Sequence, residues 1–193
     1  FFFDIFKDKS IILYLSITSF LITINWTCFI FAISINRLQD ASMGYYISPI
    51  ISIGLGYLFL NEKISYLKII SLLLMIFSIV YLLVSLNTIP YIAIIIALSW
   101  SFYGLIRKKI KIQSEIGLLY ESAFISIFAL VYLLYLNFYN MGYFLNYSSN
   151  VSILLFFIGI ITVFPLFFFN LGIKHIPLGL AGVIFYLTPT FHF

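Results

Sequence analysis

Between Ala41 and Leu60 the chain runs for twenty residues without a charge. At about 1.5 Å of rise per residue, a helix of that length crosses a hydrocarbon core of roughly 30 Å. Gly44, Ser48, Ser52 and Gly56 recur at every fourth position, so they line one face and let a neighbouring helix come close. Pro49, near the middle, has no N–H to give and deprives the Tyr45 carbonyl of its usual donor. At membrane depth a freed carbonyl is tolerated where protein or a wet cavity covers it. Asp40 is placed to act as the N-cap.

Six further apolar runs accompany this one: 11–34, 69–86, 89–106, 117–136, 151–171 and the stretch from Leu178 to the end. Hydrophobic residues make up 64% of the 193 and charged residues 8%, where soluble domains hold about 45–50% and 25%. The pattern predicts an all-α, polytopic membrane helix bundle in contact with the lipid bilayer. The single cysteine, Cys28, lies inside a run and can form no internal disulfide.

The net charge of +4 is distributed by side. Loops before the first, third, fifth and seventh runs hold Lys7, Lys9, Lys63, Lys68, Arg107, Lys108, Lys109, Lys111 and Lys174, whereas the other loops hold only Arg37. That asymmetry places the loops near Lys63, Lys109 and Lys174 in the cytoplasm, and the protein in the cell (inner) membrane. The basic residues therefore read as topology, not as a nucleic-acid footprint. Phe138, Tyr139, Tyr143, Phe144 and Tyr147 crowd the long outer loop, where amphipathic rings favour the interface.

The second run has an echo 140 residues on. Leu38, Ala41, Tyr46 and Pro49 match Leu178, Ala181, Tyr186 and Pro189, and the preceding runs align with Phe29 on Phe169 and Ile33 on Ile173. Residues 11–50 and 151–190 thus read as two copies of one helix pair. Five spans separate the copies, an odd number, so they are inverted about the membrane plane. Inverted repeats suit a machine with two exchangeable faces.

Three stretches carry a family resemblance: Asn25-Trp26, Ala41-Ser42-Met43-Gly44-Tyr45 with Pro49 and Glu62, and Ser101-Phe102-Tyr103-Gly104-Leu105-Ile106-Arg107-Lys108-Lys109. Gly117-Leu118-Leu119-Tyr120-Glu121 adds to them. The chain resembles the RarD family of EamA-type carriers, within the drug/metabolite transporter superfamily, over nearly its whole length. The resemblance implies ten spans in two inverted sets of five, of which the seven present here match the third to the ninth. Residues 1–86 would then be the end of the first EamA-like repeat, with three spans, and 87–193 the second, with four and cut short at the C-terminus. The ending Pro189-Thr190-Phe191-His192-Phe193 departs from the family's aliphatic continuation.

Candidate residues for a substrate pathway follow. Asn25 lies at membrane depth and either binds substrate or holds two helices together by a hydrogen bond. Trp26, Trp100 and Tyr103 could stack on a substrate, although in a chain that is 21% aromatic, packing is the commoner use of a ring. Gly44, Tyr45 and Ser48 lie on the second span, and Tyr186 matches Tyr46. Pro49, Pro165 and Pro189 are placed to unwind helices around a central site, Pro165 breaking the sixth span. Glu121, about one turn inside its span, is a candidate proton or ion carrier; the alternatives are that it reaches the interface or pairs with the basic cluster. Glu62, at the cytoplasmic mouth, is a second candidate for coupling or a solvated loop charge. Arg107-Lys108-Lys109 sets orientation or binds anionic lipid. Asn146-Tyr147-Ser148 matches a glycosylation triplet but carries little weight.

These features fit a secondary carrier of a small organic solute, an exporter working by alternating access, with a proton as the candidate coupling ion. The substrate would sit at the midplane between the repeats. No nucleotide-binding motif, cofactor or metal set is evident. An intramembrane lipid-modifying enzyme is the alternative, but the six acids are scattered and the two histidines, His175 and His192, form no ligand pair. A channel would need a filter motif or a charged pore series, and neither is present.

Overall fold

The structure, a computed structural model, describes residues 8–86, 90–139, 141–142 and 148–187. Seven helices follow one another among them: α1 Lys9–Ser34, α2 Leu38–Leu60, α3 Tyr66–Leu86, α4 Tyr91–Lys109, α5 Ser114–Phe138, α6 Ser149–Gly172 and α7 Leu178–Ile184. Five of them (α1, α2, α4, α5 and α6) are long and apolar enough to cross a bilayer. The protein is a polytopic membrane helix bundle.

Helix ends differ from the simplest reading in instructive ways. α2 opens at Leu38, with Arg37 in the N-cap place and no side-chain cap. Asp40 is therefore not the N-cap; it sits in the first turn and forms an ion pair with Arg37. A carboxylate there still meets the positive end of the helix dipole. α1 is followed by Asn36 and α2 by Asn61, both with left-handed backbone (φ 58° and 52°). Asparagine tolerates that conformation, and the Glu62 amide turns back to the Gly56 carbonyl at 3.1 Å. Neither Pro49 nor Pro165 breaks its helix, and α2 and α6 run through them. The expected unwinding at those two positions is thus absent. One residue before Pro49, the Ser48 hydroxyl bonds to the Gly44 carbonyl at 2.8 Å, which leaves the Tyr45 carbonyl as the one that loses its donor. Pro189, Lys7, Tyr143, Phe144, Asn146, Tyr147 and His192 lie outside the described residues.

The helices gather into two compact units. The first comprises Phe1–Ser19 and Lys111–Leu171. In it the start of α1 meets the start of α5: Thr18 donates to Glu121 at 2.6 Å, and the Ser16 and Tyr120 hydroxyls lie 3.1 Å apart. Phe124 stacks on Tyr120. α6, whose most apolar stretch is entirely unburied, keeps Pro165 exposed.

The second unit comprises Phe20–Ile110 and Gly172–Phe193, and α2 is its centre. Contacts rise together along α2 and α4: Gly44 meets Ala93 and Ile96, Ser48 and Ser52 meet Ser101, and Leu55 packs with Leu105. The two helices therefore run parallel. Contacts of α1 with α4 move in opposite senses, Asn25 against Ile96 and Ser99 and then Ala32 against Ile92, so that pair is antiparallel. Parallel α2 and α4 require the intervening α3 to cross back.

Candidate transport site

The small-residue face of α2 works as the four-residue spacing predicts. A Cβ on Gly44 would meet Ile96 at 2.8 Å and the Ala93 carbonyl at 2.9 Å, so only glycine lets α4 come this close. Further along, the Ser52 hydroxyl donates to Ser101 at 3.2 Å, and Ser101 donates to the Ser48 carbonyl at 3.0 Å. These buried hydroxyls satisfy one another and stitch α2 to α4 inside an apolar shell.

The adjoining face of α2 receives α7. Ile53 meets Gly179, Pro49 and Ser52 meet Gly182, and Tyr46 meets Tyr186. Each step of three or four residues back along α2 is matched by a similar step forward along α7, which is an antiparallel register. Tyr46 and Tyr186 are the two members of one repeat-matched pair. Their rings lie 5.7 Å apart, and the Tyr186 hydroxyl donates to the Tyr46 carbonyl at 3.2 Å.

The other expected pathway residues of this unit divide. Asn25 is fully buried on α1; its amide donates to the Ile96 carbonyl at 3.0 Å and to Ser99 at 3.1 Å. It holds two helices together, and its side-chain oxygen has no hydrogen-bond partner. Trp100 is buried, stacked on Tyr103 at 5.8 Å and tilted against Phe185 at 4.8 Å. Tyr103 is fully buried, whereas Trp26 is 38% exposed and takes no part in this cluster. Tyr45 packs on Phe29 at 5.9 Å. Asn25, Gly44, Tyr45, Ser48, Pro49, Trp100, Tyr103 and Tyr186 therefore belong to one packed unit, while Glu121 and Pro165 belong to the other. Glu121 is 4% exposed and accepts from Thr18.

Glu62 is engaged in a three-way contact at the end of α2. Its Oε1 accepts the Leu178 N–H at 2.7 Å, its Oε2 accepts the Gly179 N–H at 3.4 Å, and Lys108 lies 3.4 Å away. Lys108 also donates to the carbonyls of Ile173, at 3.1 Å, and Ile176. The left-handed turn at Asn61 folds Glu62 back over Gly56, where a Cβ would lie 2.6 Å from its carboxylate. Sequence reasoning missed Lys108, which read as one member of a basic cluster. At about 100° per residue, three consecutive helical residues point three ways. Arg107 is buried, Lys108 reaches Glu62, and Lys109 lies over the Phe59 ring at 5.3 Å. The sign that could have flagged Lys108 is Glu62 itself, a carboxylate at the same membrane edge.

Residues 1–84 match the EamA-like transporter family. Over 95% of its length the chain is 37% identical to an uncharacterized transporter, YojE, of Bacillus subtilis, covering 61% of that protein. It is 31% identical to the protein RarD of Escherichia coli over 93% of the chain and 60% of that protein. Chloramphenicol-sensitive protein RarD of Pseudomonas aeruginosa is 20% identical over 92% of the chain and 58% of that protein. The chain spans about three fifths of the length of these relatives. No solved structure matches it. With the expected helical bundle, the matched region and the relatives in agreement, the chain is similar to the RarD-type members of the EamA-like transporter family.

Proposed function

We propose that the protein is a secondary active carrier of small organic solutes of the drug/metabolite type, an exporter that works by alternating access. The observation that carries this reading is the antiparallel register of α2 on α7, centred on the repeat-matched Tyr46 and Tyr186. Two copies facing each other across an axis can exchange roles, and that exchange opens a site first to one side and then to the other. The family match over residues 1–84 also supports a first repeat ending near residue 86 and a second from 87 to 193. The carrier performs no covalent chemistry on its solute.

In this reading the loops near Lys63, Lys109 and Lys174 face the cytoplasm, across the cell membrane. Glu62 and Lys108 then tie the cytoplasmic ends of α2, α4 and α7 together, and their release accompanies opening on that side. The solute meets Trp100, Tyr103 and Tyr186 near the midplane. A proton is the coupling ion and Glu121 its carrier, with Glu62 the second candidate. A buried carboxylate in a membrane helix is costly and often serves transport.

The test uses the full-length protein in sealed vesicles with an imposed pH gradient and a solute panel. Chloramphenicol joins the panel because one relative carries it in its name. Saturable flux that follows the gradient is expected, and Glu121→Gln should abolish the gradient-driven component. Flux indifferent to the gradient removes proton coupling. Turnover of a lipid substrate in detergent, with no flux in vesicles, removes the carrier reading altogether.

A further inference from the structure

Beside the Glu62 contact lies a cavity of about 370 Å³, enclosed by the end of α2, the start of α3 and α7. That size falls within the range of roughly 300–1,000 Å³ typical of small-ligand sites. Lys68, Ser71 and Met75 form one wall; their spacing of three and four puts them on a single stripe of α3. Gly179 and Val183 on α7, with Tyr186 just past its end, form the other. The cavity is thus a slot that follows both helices for about 10 Å, polar at one end and apolar along its length.

Its polar end is cationic. Lys63 and Lys68 both line it, and neither has an ion-pair partner among the described residues. Glu62 lines it too, but that carboxylate is already engaged by two backbone N–H groups and by Lys108. Lys63 follows the end of α2 and Lys68 lies in the first turn of α3, so both stand at the ends of these apolar helices. On its outer side α3 exposes Leu67, Leu74 and Phe77, each more than 60% accessible, as a lipid-facing helix does.

We propose that the slot binds an anionic phospholipid, with the phosphate between Lys63 and Lys68 and one acyl chain lying between α3 and α7. A zwitterionic head would bring a third cation to a place that already holds two without compensation. This site borders the proposed solute pathway but does not depend on the carrier reading. Among the described residues it shares Tyr186 with the solute pathway and Glu62 with the candidate coupling groups.

The experiment takes the full-length protein from nanodiscs of phosphatidylglycerol or phosphatidylcholine with matched chains and counts retained lipids by native mass spectrometry. One phosphatidylglycerol is expected to stay bound in preference to phosphatidylcholine. The double variant Lys63→Gln, Lys68→Gln should weaken its retention on the order of 30-fold, since each lysine near a membrane surface is worth roughly fivefold. Both residues are exposed, so this variant folds. Val183→Trp should fill the slot and expel the lipid with both lysines intact, whereas Lys111→Gln, outside the lining, should change nothing. Three results overturn the proposal: the lysine variant keeps its lipid; the lysine variant loses it but Val183→Trp does not, which is surface attraction alone; or the protein holds dodecyl phosphate and no phospholipid.

Discussion

α2 and α6 look alike in sequence and are used in opposite ways. They have 23 and 24 residues, each contains one internal proline, and each carries glycine. Yet α2 buries ten residues, Pro49 included, while α6 buries Ser152 and Asn170 and exposes its proline. The glycines show why. In α2 Gly44 and Gly56 belong to a four-residue series with Ser48 and Ser52, and each lies under a close neighbour. In α6 Gly159 has Leu155 and Val163 four residues away on either side, and nothing lies within 4 Å of its missing Cβ. Gly54, off the series but on α2, is equally open. A glycine marks a helix contact through the periodicity of small residues around it, not through its presence.

The comparison breaks most visibly at Gly44. Replacing it with leucine drives a side chain into Ile96 and into a backbone carbonyl that has no room to move. Overpacking of that kind costs about 1–3 kcal/mol, and more where backbone is the obstacle. The expected result is a fall in melting temperature of the full-length protein in detergent, with Gly54→Leu close to the parent. Equal behaviour of the two variants would mean that the series does not set the α2–α4 contact.

Next in size is the contact at the end of α2. Glu62→Ala removes the acceptor of two α7 N–H groups and the partner of Lys108. Both side chains of the ion pair are partly accessible, 19% for Glu62 and 17% for Lys108, so solvent screens it and the loss should be about 1–2 kcal/mol. A double-mutant cycle with Lys108→Met should return a coupling on the order of 0.5–1 kcal/mol in thermal or denaturant unfolding. Glu62→Gln, which keeps an acceptor for the Leu178 amide, should recover part of the loss. A cycle that closes with no coupling would show the two residues acting independently.

Asn25→Ala tests the seam between α1 and α4. It removes two donated hydrogen bonds, and such bonds between membrane helices average roughly 0.6 kcal/mol, with a maximum near 1.7. A loss in that range is expected in the same unfolding assay. If stability holds while solute flux falls, the unpartnered Asn25 oxygen is the functional atom, and the residue is a ligand before it is a strut.

These contrasts mark how far the sequence could be read. The runs of apolar residues placed all seven helices, because the need to satisfy backbone groups inside a bilayer leaves few other options. The match of Tyr46 with Tyr186 was visible as identity, but not that the two rings meet, since linear spacing does not fix contact. Pro49 and Pro165 suggested breaks; helical bonding on either side carries both helices through. Asp40 looked like a cap because the charge-free run begins one residue later, but the helix starts at Leu38 and the carboxylate pairs with Arg37. Lys108 was hidden by its neighbours, since linear clustering says nothing about which residue of a helical turn points inward.

The smallest effect sharpens the comparison from the other side. Gly159→Ala in α6 places a methyl group where no atom lies within 4 Å, so no packing opposes it. Alanine is the better helix former by about 1 kcal/mol in water, and a gain of up to that size is expected in the full-length protein. The same substitution at Gly44 starts from the same propensity gain and must still lose, because its methyl group meets Ile96 at 2.8 Å. The sign of the difference between these two variants is therefore the quantity to measure, and it cancels whatever the detergent does to helix propensity in general. A loss at Gly159 comparable to that at Gly44 would mean that α6 has a close partner in the full-length protein. Its glycine would then be a contact glycine despite the bulky residues at its four-residue neighbours.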